Sequence, residues 1–169
     1  PTIATLRQRG IDYRGVLYAG LMITEDGPKL LEYNVRFGDP EAQVVLPRFE
    51  SSLTELLIEA SRGEIQTPPR FTNDAMVTVV CATEGYPVSP RVGDRITGME
   101  EASSSKGIEK VYVAGISLDE QQQPVTAGGR VLAVTGRGVT IESARQNAYT
   151  GAEKIYWEGL HKRQDIAEG

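Results

Sequence analysis

Apolar and polar side chains alternate along residues 29–37, which read KLLEYNVRF. This period of two predicts a β-strand, because successive strand side chains point to opposite faces of a sheet. One face would be apolar, and the other would carry Glu32, Asn34 and Arg36. The polar face has two interpretations: it is the solvated side of a half-buried strand, or it is a row of ligands for a metal ion and a phosphate.

The residues around this strand predict an antiparallel hairpin followed by a short helix. Residues 15–23 form an uninterrupted apolar run, which is typical of a strand buried on both faces. Asp26-Gly27 is a strong turn signal between the two strands. Beyond the hairpin, Asp39 suits an N-cap and Pro40 suits the first helical position. A helix is therefore expected from Asp39 to near Pro47.

Helical signals also lie on either side of this region. Residues 2–8 are expected to form a short helix that ends before Gly10. Ser52 and Glu55 have the spacing of a capping box, and Gly63 is placed as a C-cap. A longer helix is therefore expected between Ser52 and Gly63.

The second part of the chain has a different pattern. Its β-rich runs cover residues 75–83, 110–117 and 129–136. Helical spacing of apolar residues predicts a final helix from about Thr140, and the polar tail from residue 161 onward is expected to fray.

The change of pattern predicts two domains and an α+β fold. Pro68-Pro69 cannot continue a helix and favours a linker between the two parts. We therefore expect one domain over residues 1–65. A small, mostly antiparallel β-domain with a C-terminal helix is expected over residues 66–169.

Composition excludes several classes of partner. The chain has 169 residues, a formal net charge of −5 and no concentrated basic run, which argues against binding to nucleic acid or to an anionic membrane surface. No apolar stretch reaches the roughly 20 residues of a membrane span. The single cysteine, Cys81, cannot form an internal disulfide, which fits a reducing cytoplasm.

The polar stripe has the chemistry of half a phosphoryl-transfer site. A carboxylate and an amide supply the hard oxygen atoms that Mg²⁺ prefers, and Mg²⁺ often takes only one or two protein ligands. The guanidinium of Arg36 suits a phosphate or a carboxylate, and the expected helix start at Asp39 would also favour an anion. A plain solvated strand face remains the alternative.

These residues resemble a known enzyme family. The segments GVLYAGLMIT (15–24) and GPKLLEYNVRFGDPEAQVVLP (27–47) are similar to the C-terminal part of the ATP-grasp domain of phosphoribosylamine–glycine ligases, also called glycinamide ribonucleotide synthetases. The resemblance continues through GYP (85–87), GDRITG (93–98) and GGRVLAVTGRG (128–138), so it covers nearly the whole chain. Ala42 departs from the threonine usual in the family.

The resemblance implies an ATP-dependent enzyme of purine biosynthesis. Its substrates would be glycine, 5-phosphoribosylamine and ATP, and it would act through a glycyl phosphate intermediate. Glu32 and Asn34 would hold Mg²⁺ or Mn²⁺, and Arg36 would be catalytic, neutralising the transferring phosphoryl group or the glycine carboxylate. The residues that would line the substrate side, together with Arg36, are Gly38, Asp39, Pro40 and Glu41. Asp39 also keeps its separate interpretation as an N-cap.

The resemblance further implies that an N-terminal part of the same enzyme, which holds ATP, precedes these residues, so this chain alone is expected to be inactive. Two alternatives stay open: a non-catalytic β-rich binding module, and a related ATP-grasp enzyme of the purine pathway. Arg130 could reach the phosphate of phosphoribosylamine or pair with a surface carboxylate. The GRG sequence at 136–138 is interpreted as a β–α turn, because it matches no nucleotide-binding fingerprint.

Overall fold

A computed structural model describes residues 2–168, which form two compact units. The first comprises residues 2–41 and 49–72, and the second comprises residues 42–48 and 73–168. The predicted division at 65/66 stays a prediction, and its outer ends, Pro1 and Gly169, lie outside the described residues.

The elements follow one another in the order expected for an α+β protein. The helices are α1 (Thr2–Gln8), α2 (Ala42–Val45), α3 (Leu53–Arg62), α4 (Met99–Ser103) and α5 (Ile141–Ala152), with a 3₁₀ turn at Leu46–Arg48. The strands are β1 (Tyr18–Thr24), β2 (Gly27–Asn34), β3 (Ala75–Ala82), β4 (Ile108–Val113), β5 (Ile116–Leu118), β6 (Pro124–Thr126) and β7 (Arg130–Gly138). None of the described helices has the length and apolar character that a membrane crossing requires.

Strands β1 and β2 form the predicted antiparallel hairpin, with Tyr18 opposite Asn34. The prediction that β1 is buried on both faces is wrong for this chain: of its residues only Gly20 is buried, and Ile23 is 77% exposed. On β2, Leu31 is 64% exposed. The reason is that no described helix or strand packs to any extent on the faces of this two-stranded sheet, from which the apolar side chains project.

The helix after the hairpin begins later than predicted. Residues 39–41 form a turn, the Asp39-Pro40 peptide is cis, and α2 starts only at Ala42. The prediction of Asp39 as an N-cap is therefore wrong. The competing local interaction is a hydrogen bond from the backbone N–H of Gly38 to the carboxylate of Glu41, which folds these residues into a turn ahead of the helix.

The N-cap Ser52 and the C-cap Gly63 of α3 are confirmed. The Ser52 hydroxyl accepts a hydrogen bond from the Glu55 backbone N–H at 3.2 Å. At the other end, Gly63 adopts a left-handed conformation and its N–H bonds back to the last turn. Both ends of this helix therefore lie where the sequence places them.

The second unit is built on a three-stranded antiparallel sheet in the order β3–β7–β4. Residues 131–136 of the central strand are all buried. The core around them contains Val77, Val79, Cys81, Leu132, Val134, Ala144, Ala148, Ala152, Ile155 and Trp157. The predicted run 110–117 is interrupted at Ala114-Gly115, where the chain leaves β4 and enters the small β5–β6 hairpin.

Helix α5 lies close against β7 because the strand carries glycine at the contact. A Cβ atom added to Gly136 would come 2.3 Å from the Ala148 nitrogen and 2.4 Å from the Ala144 oxygen. The interpretation of residues 136–138 as a β–α turn is therefore wrong: they are the end of β7 and serve packing. Thr140 and Ser143 form a capping box that starts α5 where predicted.

The C-terminal tail does not fray as expected, because side chains of α5 bind its backbone. The guanidinium of Arg145 donates to the carbonyl oxygens of Ile166 at 2.8 Å and Gln164 at 2.7 Å. The Tyr149 hydroxyl donates to the Arg163 carbonyl at 2.8 Å. His161 exchanges two backbone hydrogen bonds of 2.8 Å with Ala82 at the end of β3.

The burial of Cys81 predicts a thiol that reacts slowly with disulfide reagents. Burial raises the pKa of the Cys81 thiol to about 11, and the positive charge of Lys162 offsets this only in part. Roughly a thousandth of the thiol would then be thiolate at pH 8, the form that reacts with disulfide reagents. We expect native protein at pH 8 to react with a chromogenic disulfide many times more slowly than the same protein in guanidinium chloride. Equal rates would contradict the placement of Cys81 in the core.

Candidate functional site

Glu32 and Asn34 share one face of β2, as the alternation predicts. The side-chain amide nitrogen of Asn34 donates to Glu32 Oε1 at 2.9 Å. A carboxylate and an amide two positions apart on a strand meet in this way because residues i and i+2 project to the same side. The contact joins the two side chains of the sequence-predicted metal pair, but it is made by the amide nitrogen of Asn34 and not by the oxygen that would ligate a metal.

Gly20 makes room for Glu32 on the neighbouring strand, a role that the sequence reasoning did not assign. Gly20 lies opposite Glu32 in the hairpin, beside a register shift between Gly20 and Leu21. A Cβ atom at Gly20 would lie 3.1 Å from Glu32 Cγ, closer than side chains normally pack. The signal was available, since an isolated glycine inside a strand indicates a bulge or a close approach.

Arg36 does not lie on the strand with the other two residues. β2 ends at Asn34, and the chain bends at Val35 and Arg36. The Arg36 guanidinium donates to the neighbouring Phe37 carbonyl at 3.2 Å, and the residue is exposed. The expectation of three residues in one row is therefore wrong for Arg36, because the turn that leads to α2 begins before the strand pattern ends. Its predicted role toward a phosphoryl group or carboxylate stays a prediction.

The residues predicted to line the substrate side form the compact turn that precedes α2. Gly38 is buried, Asp39 and Pro40 are exposed, and Glu41 is partly buried. The contact between the Gly38 N–H and Glu41 Oε1 closes the turn. Glu41 is thus engaged by the backbone of its own turn, while Asp39 and Pro40 are accessible at its surface. Helix α2 has only four residues, so it gives little support to the expected helix-end anion site.

The donor set fits a hard divalent cation that takes few protein ligands. Glu32 offers a carboxylate and Asn34 an amide oxygen on neighbouring side chains, and a rotation of the Asn34 amide, whose nitrogen now faces Glu32, would turn that oxygen toward an ion at the carboxylate. Within residues 2–168, no group of three or more His, Cys, Asp or Glu side chains is arranged to hold a metal. The pair therefore suits Mg²⁺ or Mn²⁺ completed by other oxygen ligands better than zinc.

Arg130 lies in the second unit, at the start of β7 and opposite Ala82. Its neighbour Gly129 lies against Tyr86, since a Cβ atom at Gly129 would come 2.3 Å from that ring. The Arg130 side chain is exposed. Both interpretations of Arg130, phosphate binding and carboxylate pairing, stay predictions.

Two family models match the sequence. The model described as phosphoribosylglycinamide synthetase, C domain, matches residues 76–169. The model described as phosphoribosylglycinamide synthetase, ATP-grasp (A) domain, matches residues 1–42, a range that contains Glu32, Asn34 and Arg36.

Individual proteins are also similar over nearly the whole chain. Phosphoribosylamine–glycine ligase of Nostoc sp. is 48% identical over 97% of this chain, which corresponds to 39% of the relative. The chloroplastic phosphoribosylamine–glycine ligase of Arabidopsis thaliana is 43% identical over 98% of this chain and 32% of the relative. The chain thus spans well under half of the length of the relatives that it matches.

A solved structure has the same fold. The crystal structure of phosphoribosylamine–glycine ligase from Thermotoga maritima matches with a TM-score of 0.80 and 38% identity. The match covers 98% of this chain and 40% of that chain. The α+β fold, with a β-rich second part that ends in a helix, is thereby confirmed.

The turn at residues 38–41 gives a testable prediction. A methyl group at Gly38 would lie 2.6 Å from the Glu41 carboxylate, so Gly38→Ala should push that carboxylate away and break its bond to the backbone N–H. We expect faster amide exchange at residue 38 and a loss of about 1 kcal/mol in the free energy of unfolding, the typical worth of one such bond.

Glu41→Gln is the matched control for Gly38→Ala, because it keeps an oxygen acceptor of the same reach. It should preserve the slow exchange at residue 38. If Gly38→Ala exchanged as slowly as the unsubstituted protein, the Gly38–Glu41 bond would not be what closes the turn.

Proposed function

The chain belongs to the phosphoribosylglycinamide synthetase family, and from this we propose that it is the C-terminal part of an ATP-dependent ligase that joins glycine to 5-phosphoribosylamine. The observation that carries the proposal is the pairing of Glu32 and Asn34 on one face of β2, inside the range matched by the ATP-grasp family model.

We assign Glu32 and Asn34 as the protein ligands of Mg²⁺ or Mn²⁺. A divalent ion held there would bind phosphate oxygens of ATP and offset the negative charge that builds up during phosphoryl transfer. Glu32 contributes a charge that attracts the ion, and Asn34 contributes a neutral oxygen. Gly20 keeps the space in which the Glu32 side chain turns toward Asn34.

We assign Arg36 to the binding of an anionic group. Its guanidinium is exposed just beyond the metal pair, where it can swing from the Phe37 carbonyl to a phosphoryl group or a glycine carboxylate. Gly38, Asp39, Pro40 and Glu41 line the substrate side in this proposal. Asp39 and Pro40 offer exposed surface, while Gly38 and Glu41 hold the shape of the turn.

The proposed chemistry balances in two transfers. An oxygen of the glycine carboxylate forms a bond to the γ-phosphorus of ATP, and the bond to the β–γ bridging oxygen breaks to release ADP. The amine of phosphoribosylamine then attacks the acyl carbon of glycyl phosphate and loses a proton, while inorganic phosphate leaves. The residues of this chain contribute ligands and a positive charge to the first transfer.

In this proposal the rest of the enzyme supplies the pocket for ATP, and it also packs against the exposed apolar side chains of the hairpin. Leu31 is 64% exposed and Val35 is 68% exposed in this chain, values unusual for apolar residues next to a proposed site. We propose that residues 1–65 complete an ATP-grasp domain with the N-terminal part of the enzyme, and that residues 66–169 form the β-rich domain. A reducing compartment, the cytoplasm, fits the single buried cysteine.

Substitution of the metal pair in the full-length enzyme tests the proposal. Glu32→Gln removes the charge but keeps the size, and Asn34→Ala removes an oxygen ligand. Each should lower kcat/KM by roughly a hundredfold or more, because metal stabilisation of the transition state is worth several kcal/mol. The melting temperature should barely change, since both side chains lie at the surface of the hairpin.

Two controls sharpen this test. Glu25→Gln removes a charge from the turn of the same hairpin and should leave activity and Mn²⁺ affinity unchanged. Asn34→Asp keeps an oxygen ligand and should retain more Mn²⁺ affinity than Asn34→Ala. The assignment would fail if Glu32→Gln and Asn34→Ala turned over glycine at the unsubstituted rate.

A further inference from the structure

Helix α2 ends after four residues, and the sequence shows which backbone hydrogen bond cannot form at its end. In an α-helix the carbonyl of residue i accepts the N–H of residue i+4. The residue four positions after Gln43 is Pro47, which has no N–H. The Gln43 carbonyl therefore cannot receive its α-helical hydrogen bond, and the chain passes into a 3₁₀ turn at Leu46.

A buried threonine of the sheet supplies a donor to this carbonyl. The Thr135 hydroxyl lies 3.3 Å from the Gln43 carbonyl oxygen and 2.9 Å from the hydroxyl oxygen of Thr78. Each hydroxyl has one proton to donate. The Thr135 hydroxyl is the donor toward both Thr78 and the Gln43 carbonyl, so it shares its one proton between them, and Thr78 donates to the Val134 carbonyl at 3.5 Å.

The placement of these two threonines is specific. Thr78 and Thr135 are direct partners across β3 and β7. Thr135 is fully buried, and its strand neighbours are otherwise apolar or glycine. Helix α2 packs against both strands, and its segment, residues 42–48, belongs to the same compact unit as the sheet.

We propose that Thr135 is a positioning residue for the substrate-side turn Gly38–Glu41. Glu41 is joined directly to the first residue of α2, so a bond that holds α2 also holds one end of that turn. The other end follows the metal strand β2. The Thr135 hydroxyl thus acts on the proposed substrate residues through α2 and touches no substrate itself. This inference rests on the proposed function of residues 38–41.

The test uses the full-length enzyme and a matched pair of substitutions. Thr135→Val removes the hydroxyl with little change of shape, and Thr135→Ser keeps it. Thr126→Val is the control, since Thr126 is also buried and its hydroxyl binds a backbone group, the Asp94 N–H at 3.0 Å, in a different part of the same unit. Two quantities are measured: amide hydrogen exchange of peptides covering residues 38–48, and KM and kcat for glycine.

We expect exchange over residues 38–48 to rise about fivefold in Thr135→Val and to stay unchanged in Thr126→Val. The KM for glycine should rise about three- to tenfold, the effect that one buried neutral hydrogen bond supports, with a smaller change in kcat. Thr135→Ser should restore both values. A merely structural threonine would lower thermal stability in both valine variants without a specific change in KM.

The inference is overturned if Thr135→Val leaves exchange over residues 38–48 unchanged, or if exchange rises while the KM for glycine does not. Should Thr135→Val fail to fold, Thr135→Cys carries the same test, because it keeps a polar side chain of similar size but replaces the hydroxyl by a much weaker donor, and it should give the same changes in smaller measure. An unsubstituted enzyme that did not ligate glycine would contradict the proposed function alone, and the exchange measurement would then decide whether Thr135 fixes the turn.

Discussion

Burial of β7 on both faces is the constraint on which the second unit depends. Residues 131–136 are all buried, so each face of the strand must be covered by another element. Gly136 allows α5 to lie directly on one face. Thr135, one position earlier and therefore on the opposite face, meets the Gln43 carbonyl of α2. Strand β7 thus fixes the positions of two helices. One is α5, and the other is α2, which directly follows the proposed substrate turn.

The first unit is organised differently, because the proposed metal ligands lie on a hairpin whose apolar side chains remain exposed. Glu32 and Asn34 meet above Gly20, while apolar residues such as Leu31 and Ile23 remain exposed. An apolar surface beside a paired carboxylate and amide is the expected appearance of a site completed by other residues. This agrees with the share of its relatives, near 40%, that the chain spans. The proposed ligase therefore explains both the polar pair and the exposed surface around it.

The sequence predicted those features that local patterns determine. The β1–β2 hairpin, the Ser52 and Gly63 caps and the start of α5 each depend on a few neighbouring residues. The start of α2 was missed because the bond between Gly38 and Glu41 competes with the N-cap pattern of Asp39. The ordered tail was missed because Arg145 binds carbonyls about 20 residues away, which no local pattern reveals. In the site, the Glu32–Asn34 pair followed from strand periodicity, whereas the bend at Arg36 did not.

The route of the carboxylate oxygen tests the central claim most directly. Full-length enzyme would be supplied with glycine labelled with ¹⁸O in both carboxylate oxygens, together with phosphoribosylamine, ATP and Mg²⁺. If glycine is activated as glycyl phosphate, one labelled oxygen must leave with the phosphate when the amide forms. The account predicts one ¹⁸O atom in each inorganic phosphate released, seen by mass or by the ³¹P isotope shift, and one in the amide product. Unlabelled phosphate, formed at the rate of ATP consumption, would contradict it.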